Sequence, residues 1–131
     1  DFPGGWRSDK VNAFRKDGVT QDQKEAQIFL KKMLAWRKDN EVLHDGKLIH
    51  FAPTKDEELY CLVRYNKEKI VLLFLNSDNK KRSIKLKSYI NDVPSKAKNG
   101  IAVNVIIGNE VNINEKQFIE KKSFFLCEYF F

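Results

Sequence analysis

The residues whose types could do chemistry are the two histidines, the carboxylate clusters and the two cysteines. His44 and His50 lie six residues apart and flank a turn and a strand. That spacing matches no metal motif, and no Cys-x-x-Cys or His-x-x-x-His supports it. No metal site is therefore expected. Asp56, Glu57 and Glu58 are adjacent carboxylates in a polar turn. General acid–base work needs a carboxyl group in a pocket that shifts its pKa, so a solvated acidic turn is the expectation. Neither a Gly-x-Ser-x-Gly elbow nor a phosphate-cradling Gly-rich loop occurs, and no cofactor is implied. Cys61 and Cys127 each fall within an apolar, strand-like run. There a free Cys behaves as a small buried hydrophobe; the two pair only if their strands are neighbours.

One segment has an unusual shape. In Asp1-Phe2-Pro3-Gly4-Gly5-Trp6, two aromatics bracket a rigid Pro and two permissive Gly. Such a loop holds a defined path while presenting a flat ring. A Trp face suits the apolar C–H face of a pyranose; the alternative is that Phe2 and Trp6 anchor the loop in a core.

Composition bounds what can position these residues. The chain has 131 residues, 42% hydrophobic and 12% aromatic, with a net charge of +6. That is enough apolar material for a core and the length of one domain. No apolar run approaches the roughly 18–20 residues that span a bilayer, so no membrane partner is expected. The charge is local: residues 54–99 hold 11 basic side chains against 6 acidic. The excess centres on Lys80, Lys81, Arg82, Lys85 and Lys87. Ile84 and Leu86 alternate with Lys85 and Lys87, which reads as a half-buried strand with a solvated face rather than a phosphate-binding stripe. No nucleic-acid partner is expected. The chain starts without a Met or a signal peptide, as a processed or cut protein does.

The elements follow from periodicity. Residues 1–19 are irregular. Thr20 with Gln23 forms a capping box, and Ala26, Phe29, Leu30, Met33 and Leu34 share one helical face. This predicts a helix from Gln21 to Lys38. His44-Asp45-Gly46-Lys47 reads as a turn, with Asp-Gly as a hairpin signal. Strands are predicted at Lys47–Ala52 and Leu59–Asn66, the latter with Leu59, Cys61, Val63 and Tyr65 on one face. Ile70–Leu75 is apolar throughout and reads as a central strand buried on both faces. Further strands are Arg82–Tyr89, Ile101–Ile107, Val111–Ile113, Gln117–Ile119 and Ser123–Phe130. One helix before seven or eight short strands predicts a mainly β protein, an antiparallel β-sandwich. The helix must bury its apolar face on the sheet or on something this chain lacks.

Asp1–Trp6 followed by Asn12-Ala13-Phe14 resembles a stretch of the α-amylase family of glycoside hydrolases (family 13), in its cyclomaltodextrinase, neopullulanase and maltogenic-amylase-like branch. Leu34-Ala35-Trp36-Arg37-Lys38 resembles the last barrel helix of those enzymes. His44–Leu48 with His50-Phe51-Ala52-Pro53 resembles the passage into their C-terminal domain. Val71–Asn76 is similar to that domain's central strand, and Lys121–Leu126 to its closing strand. At Val105-Ile106-Ile107-Gly108 the chain departs from relatives, which often carry an Asp and a Ser or Thr before the Gly.

The resemblance implies a parent with a (β/α)₈ barrel and a C-terminal β-sandwich, hydrolysing α-glucans or cyclodextrins with two carboxylates. Residues 1–46 would be the terminal loop and last helix of the barrel, and 47–131 the sandwich. No residue here matches the family's catalytic carboxylates, so no catalytic residue is expected in this chain. Asp1 and Trp6 would border the substrate cleft in the complete barrel, and the missing barrel would pack on the helix. The competing function is a non-catalytic carbohydrate-binding module, using Trp6, Tyr60 and Tyr65 as an aromatic platform.

Overall fold

A computed structural model describes residues 6, 9, 11–12, 18–53, 58–94 and 100–131. The chain divides into two compact units, Asp1–Asn40 and Glu41–Phe131.

The first unit contains helix α1, Gln21–Lys38. Its start is built as the capping box requires. The Thr20 hydroxyl accepts from the Gln23 amide at 3.2 Å, and the Gln23 side chain accepts from the Thr20 amide at 3.0 Å. Asp22 in the first turn and Arg37 and Lys38 in the last complement the helix dipole. No residue of α1 is buried, and Ile28, Phe29, Leu30 and Leu34 are exposed.

The second unit is the β-sandwich. A one-turn helix α2 (Val42–Asp45) leads into β1 (Lys47–Phe51), β2 (Leu59–Tyr65), β3 (Lys69–Asn76) and β4 (Arg82–Lys85). Helix α3 (Leu86–Asn91) follows, then β5 (Ile101–Asn104), β6 (Glu110–Val111), β7 (Lys116–Ile119) and β8 (Ser123–Phe130). Six strands form one sheet in the order β1-β2-β3-β8-β5-β6, and β4 pairs with β7 in a second. All pairings are antiparallel.

The core lies between the six-stranded sheet and the layer of β4, β7 and α3. Cys61, Val63, Ile70, Leu72 and Phe74 meet Ile84, Leu86, Ile90 and Ile119 there. Tyr89 of α3 sits edge-on to Phe74 with centroids 4.8 Å apart and to Phe51 at 5.1 Å. As predicted, Leu59, Cys61 and Val63 face this core, with Tyr65 packed at its margin.

The structure departs from the sequence expectation at several points, among them the expected strand Val111–Ile113, where β6 is Glu110–Val111. The turn at His44–Lys47 is not a hairpin: α2 occupies Val42–Asp45, and the Gly46 amide closes it by donating to the Val42 carbonyl. Val42 is fully buried, which holds this turn in place. The predicted strand Arg82–Tyr89 ends at Lys85, and α3 replaces its second half. Leu86 and Ile90, four residues apart, bury one helical face. The predicted strand Ile101–Ile107 stops at Asn104. The Asn104 side chain accepts from the Ile106 and Ile107 amides at 2.9 and 3.1 Å, which turns the chain out of the sheet. Gly108, at φ 83°, then completes that turn with its amide on the Asn104 carbonyl. Finally, β3 is central but not buried on both faces: Leu73 is half-buried and Leu75 exposed.

Candidate functional site

Asp1, Phe2 and the Pro3-Gly4-Gly5 turn lie outside the described residues, as do Asp56 and Glu57. Trp6 is described and is 79% exposed. Its amide donates to the Asp9 carboxylate at 3.0 Å, and its carbonyl accepts from the Asp9 amide at 3.1 Å. This small reciprocal turn holds the backbone while the indole faces outward.

The sandwich separates the remaining candidates. Tyr60 and Tyr65 are five residues apart on β2, and the odd spacing puts them on opposite faces of the sheet. Tyr65 packs beside the core, whereas Tyr60 points outward, where its hydroxyl is hydrogen-bonded to His50 Nδ1 of β1. The three-aromatic platform of a carbohydrate-binding module is not assembled. His44 sits in α2 and His50 on β1. Among the described residues, no group of three His, Cys, Asp or Glu could hold a metal ion.

The basic segment is partly neutralised by its own surroundings. Lys81 pairs with Glu120 at 2.8 Å, and Arg82 pairs with Asp78. Desolvation pushes the Asp78 carboxyl up. The Arg82 hydrogen bond and the Asn79 and Lys80 amides outweigh it and hold the group below its ordinary range. Lys81 also lies 5.1 Å from the centre of the Phe118 ring. Beside this segment runs an open groove of about 440 Å³, lined by Ser83, Lys85, Ser88, Tyr89, Asp92 and Lys116 among others. It brings hydroxyls together with no imidazole to activate them, so it offers no nucleophile in the Ser–His sense.

Cys61 and Cys127 are free and buried. They sit on β2 and β8, the two strands flanking β3 on opposite sides. Strands two apart are separated by about 9–10 Å, beyond the reach of a disulfide. Burial pushes both thiols up to about 12. Each should react with Ellman's reagent at pH 8 on the order of a thousandfold more slowly than a free thiol, and at ordinary rates in 8 M urea. Fast native labelling of either would show the sheet opening locally.

What the described residues build, then, is a packed sandwich without an assembled catalytic constellation. A family model described as the cyclo-malto-dextrinase C-terminal domain matches residues 48–128. The chain belongs to that family. The match begins within β1 and ends within β8, so this cyclo-malto-dextrinase C-terminal domain is the six-stranded sheet together with its α3, β4 and β7 layer. Solved structures share the fold. AmyP in complex with maltose is similar at TM-score 0.67 and 11% identity, over 85% of this chain and 22% of that one. An Anoxybacillus α-amylase matches at 0.63 and 12%, over 82% of this chain and 23% of the other. The α-amylase of Geobacillus thermoleovorans, complexed with acarbose, matches at 0.63 and 15%, over 80% and 23%. The chain therefore spans less than a quarter of the length of the amylases it matches. The fold agrees with the expected C-terminal sandwich of an α-amylase-family enzyme.

Sequence reasoning expected both faces of β3 to be buried, and it missed that Leu75 and, beside it on β8, Phe124 stay exposed on the outward side of this domain's large sheet. Tyr60, Leu75 and Phe124 stand in one cross-strand row there, and Leu62, Leu73 and Leu126 in the next. The signal was present: β3 and β8 carry apolar residues at both odd and even positions.

Proposed function

We propose that the chain is the C-terminal portion of an α-glucan hydrolase of the cyclomaltodextrinase type. Its sandwich serves a structural role beside a catalytic barrel, and the 131 residues by themselves have no hydrolytic activity. The observation that carries this reading is the family match over residues 48–128. In this reading residues 1–46 supply the last loop and helix of the barrel, and residues 47–131 the sandwich domain. The exposed apolar side chains of α1 suit a helix completed by a barrel wall. Asp1 and Trp6 border the cleft in which an α-glucan or cyclodextrin binds. The exposed indole of Trp6 suits stacking on a sugar face. The two carboxylates of a retaining mechanism come from the barrel, because no residue of this chain matches them.

The test is incubation of the pure chain with maltooligosaccharides and with cyclodextrins. No new reducing ends should appear, and turnover would overturn the proposal. In starch-containing native gels the chain should migrate as it does without starch, because Tyr60 and Tyr65 face apart.

A further inference from the structure

The outward face of the β4–β7 pair sets two lysines against each other. Ile84 and Ile119 are buried in the core, so the residues that alternate with them point away from it. Lys85 and Lys116 are among these, both exposed and directly opposite in the strand register. Like charges at opposed positions destabilise a strand pair. No carboxylate of the domain relieves them. Among the described residues neither lysine is in an ion pair, whereas Lys69, Lys81 and Arg82 each are. Both lysines line the groove of about 440 Å³ beside α3. The other lining residues give that groove a direction. Lys85, Ser88 and Asp92 are spaced three and four apart, which puts them on one side of α3. Asp92 lies roughly 10 Å from Lys85 along the helix axis, and it too is in no ion pair among the described residues. The groove thus runs from a pair of cations, past a hydroxyl, to a carboxylate held apart from them. The Tyr89 ring also lines it but is fixed edge-on between Phe51 and Phe74. That leaves no free aromatic face on which a neutral sugar or a base could stack.

We propose that this groove binds a sugar phosphate, with the phosphate monoester between Lys85 and Lys116 and the sugar hydroxyls donating to Asp92. The charges select this ligand class. A phosphate monoester carries close to two negative charges at pH 7 and meets two ammonium groups, whereas a carboxylate or a phosphodiester carries one. Lysine binds phosphate as a point charge and needs no planar fork geometry. The carboxylate of Asp92 disfavours a second anion and accepts from hydroxyls, so the rest of the ligand is neutral and hydroxylated. Ser83 and Ser88 supply further hydroxyls along the way. The proposal goes beyond the α-glucan hydrolase reading and does not depend on it.

The test follows amide chemical shifts of the 131-residue chain during titration with glucose 6-phosphate, inorganic phosphate, glucose and phosphoserine. Glucose 6-phosphate should shift residues of β4, β7 and α3, and its affinity should fall as salt rises. Inorganic phosphate should bind the same residues more weakly, and glucose should not bind. Lys85→Gln and Lys116→Gln should each weaken glucose 6-phosphate by about fivefold. Lys67→Gln, in the turn between β2 and β3 and outside the groove, should leave it unchanged. Asp92→Asn should weaken glucose 6-phosphate without weakening inorganic phosphate. Both lysine variants remove a repulsion, so their urea midpoints should equal or exceed that of the wild type, and lost binding is then not lost folding. Absence of glucose 6-phosphate shifts at β4, β7 and α3 overturns the proposal, as does equal affinity in the wild type and both lysine variants. Phosphoserine binding as tightly as glucose 6-phosphate reassigns the groove to phosphorylated protein and overturns it too. An Asp92→Asn variant that binds glucose 6-phosphate as the wild type does reduces the groove to a plain anion site, which also overturns it.

Discussion

Asn76→Ala should destabilise the sandwich by about 3 kcal/mol, read as a lower urea midpoint at unchanged slope. Asn76 is the last residue of β3 and is 2% exposed. Its amide nitrogen donates to the carbonyls of Lys80 at 2.9 Å, Glu120 at 3.0 Å and Ile119 at 3.2 Å, sharing two hydrogens among three acceptors. Its carbonyl oxygen accepts from the Asp78 amide at 3.0 Å. One side chain thus ties the end of the central strand to the turn before β4 and to the residues that end β7. Removing it takes this donor from the buried Ile119 carbonyl and the partly buried Lys80 and Glu120 carbonyls, and that penalty adds to the value of the bonds themselves. Asn76→Asp sharpens the test because it keeps the shape and removes the donors. Its carboxylate would face the same carbonyls, so its pKa is raised in the folded state. The destabilisation is then smallest below the unfolded carboxyl pKa of about 4 and grows as the pH rises through the folded value. At pH 7 Asn76→Asp should be less stable than Asn76→Ala, and the gap should close in acid. An unchanged midpoint for both variants would show that the turn finds other partners.

How much of this was visible beforehand depends on how local each cause is. Helix α1 was legible to the residue, because the Thr20–Gln23 box and the spacing of Phe29, Leu30, Met33 and Leu34 are properties of one short segment. Strand β8 was legible for a similar reason: Lys121 and Lys122 break the chain just before eight strand-forming residues. Helix α3 was not. Ile84 and Leu86 satisfy a period of two, while Leu86 and Ile90 satisfy a helical one, and only the packing of Tyr89 against Phe51 and Phe74 decides between them. The early end of β5 depends on where the Asn104 amide group turns, which the apolar residues around it, Val103 and Val105–Ile107, conceal.

The outward face of the sheet illustrates a different limit. Apolar residues at both parities of β3 predicted two covered faces. One of those covers is supplied by this chain's own α3, β4 and β7; over Leu75 and Phe124 it is missing. Sequence pattern reports that a face is built for burial, and only the folded chain reports whether it supplies the cover. The Tyr60 and Tyr65 platform failed on simpler grounds, since an odd spacing along one strand separates two rings by the sheet itself.

Phe74→Ala should be the most damaging truncation in the core, with a loss of about 4 kcal/mol. Phe74 has no exposed surface and sits on β3 between Cys61 of β2 and Phe125 of β8. Its ring lies 4.8 Å from that of Tyr89, nearly perpendicular, and 6.4 Å from that of Phe125. The ring therefore links the large sheet to α3, and its loss removes both transfer energy and the edge-to-face contact. The cavity is hard to refill. Both its walls are parts of ladders or helices whose backbones are hydrogen-bonded, so collapse is limited and the lower end of the Phe→Ala range does not apply. Phe74→Leu retains most of the volume and should lose about 1–2 kcal/mol. Tyr89→Phe keeps the ring pair and should leave the midpoint close to wild type, whereas Tyr89→Ala should lose less than Phe74→Ala because Tyr89 is only partly buried. The order Phe74→Ala, Tyr89→Ala, Phe74→Leu, Tyr89→Phe is the diagnostic. A larger loss at Tyr89→Ala than at Phe74→Ala would mean that α3, rather than the central strand, holds the two layers together.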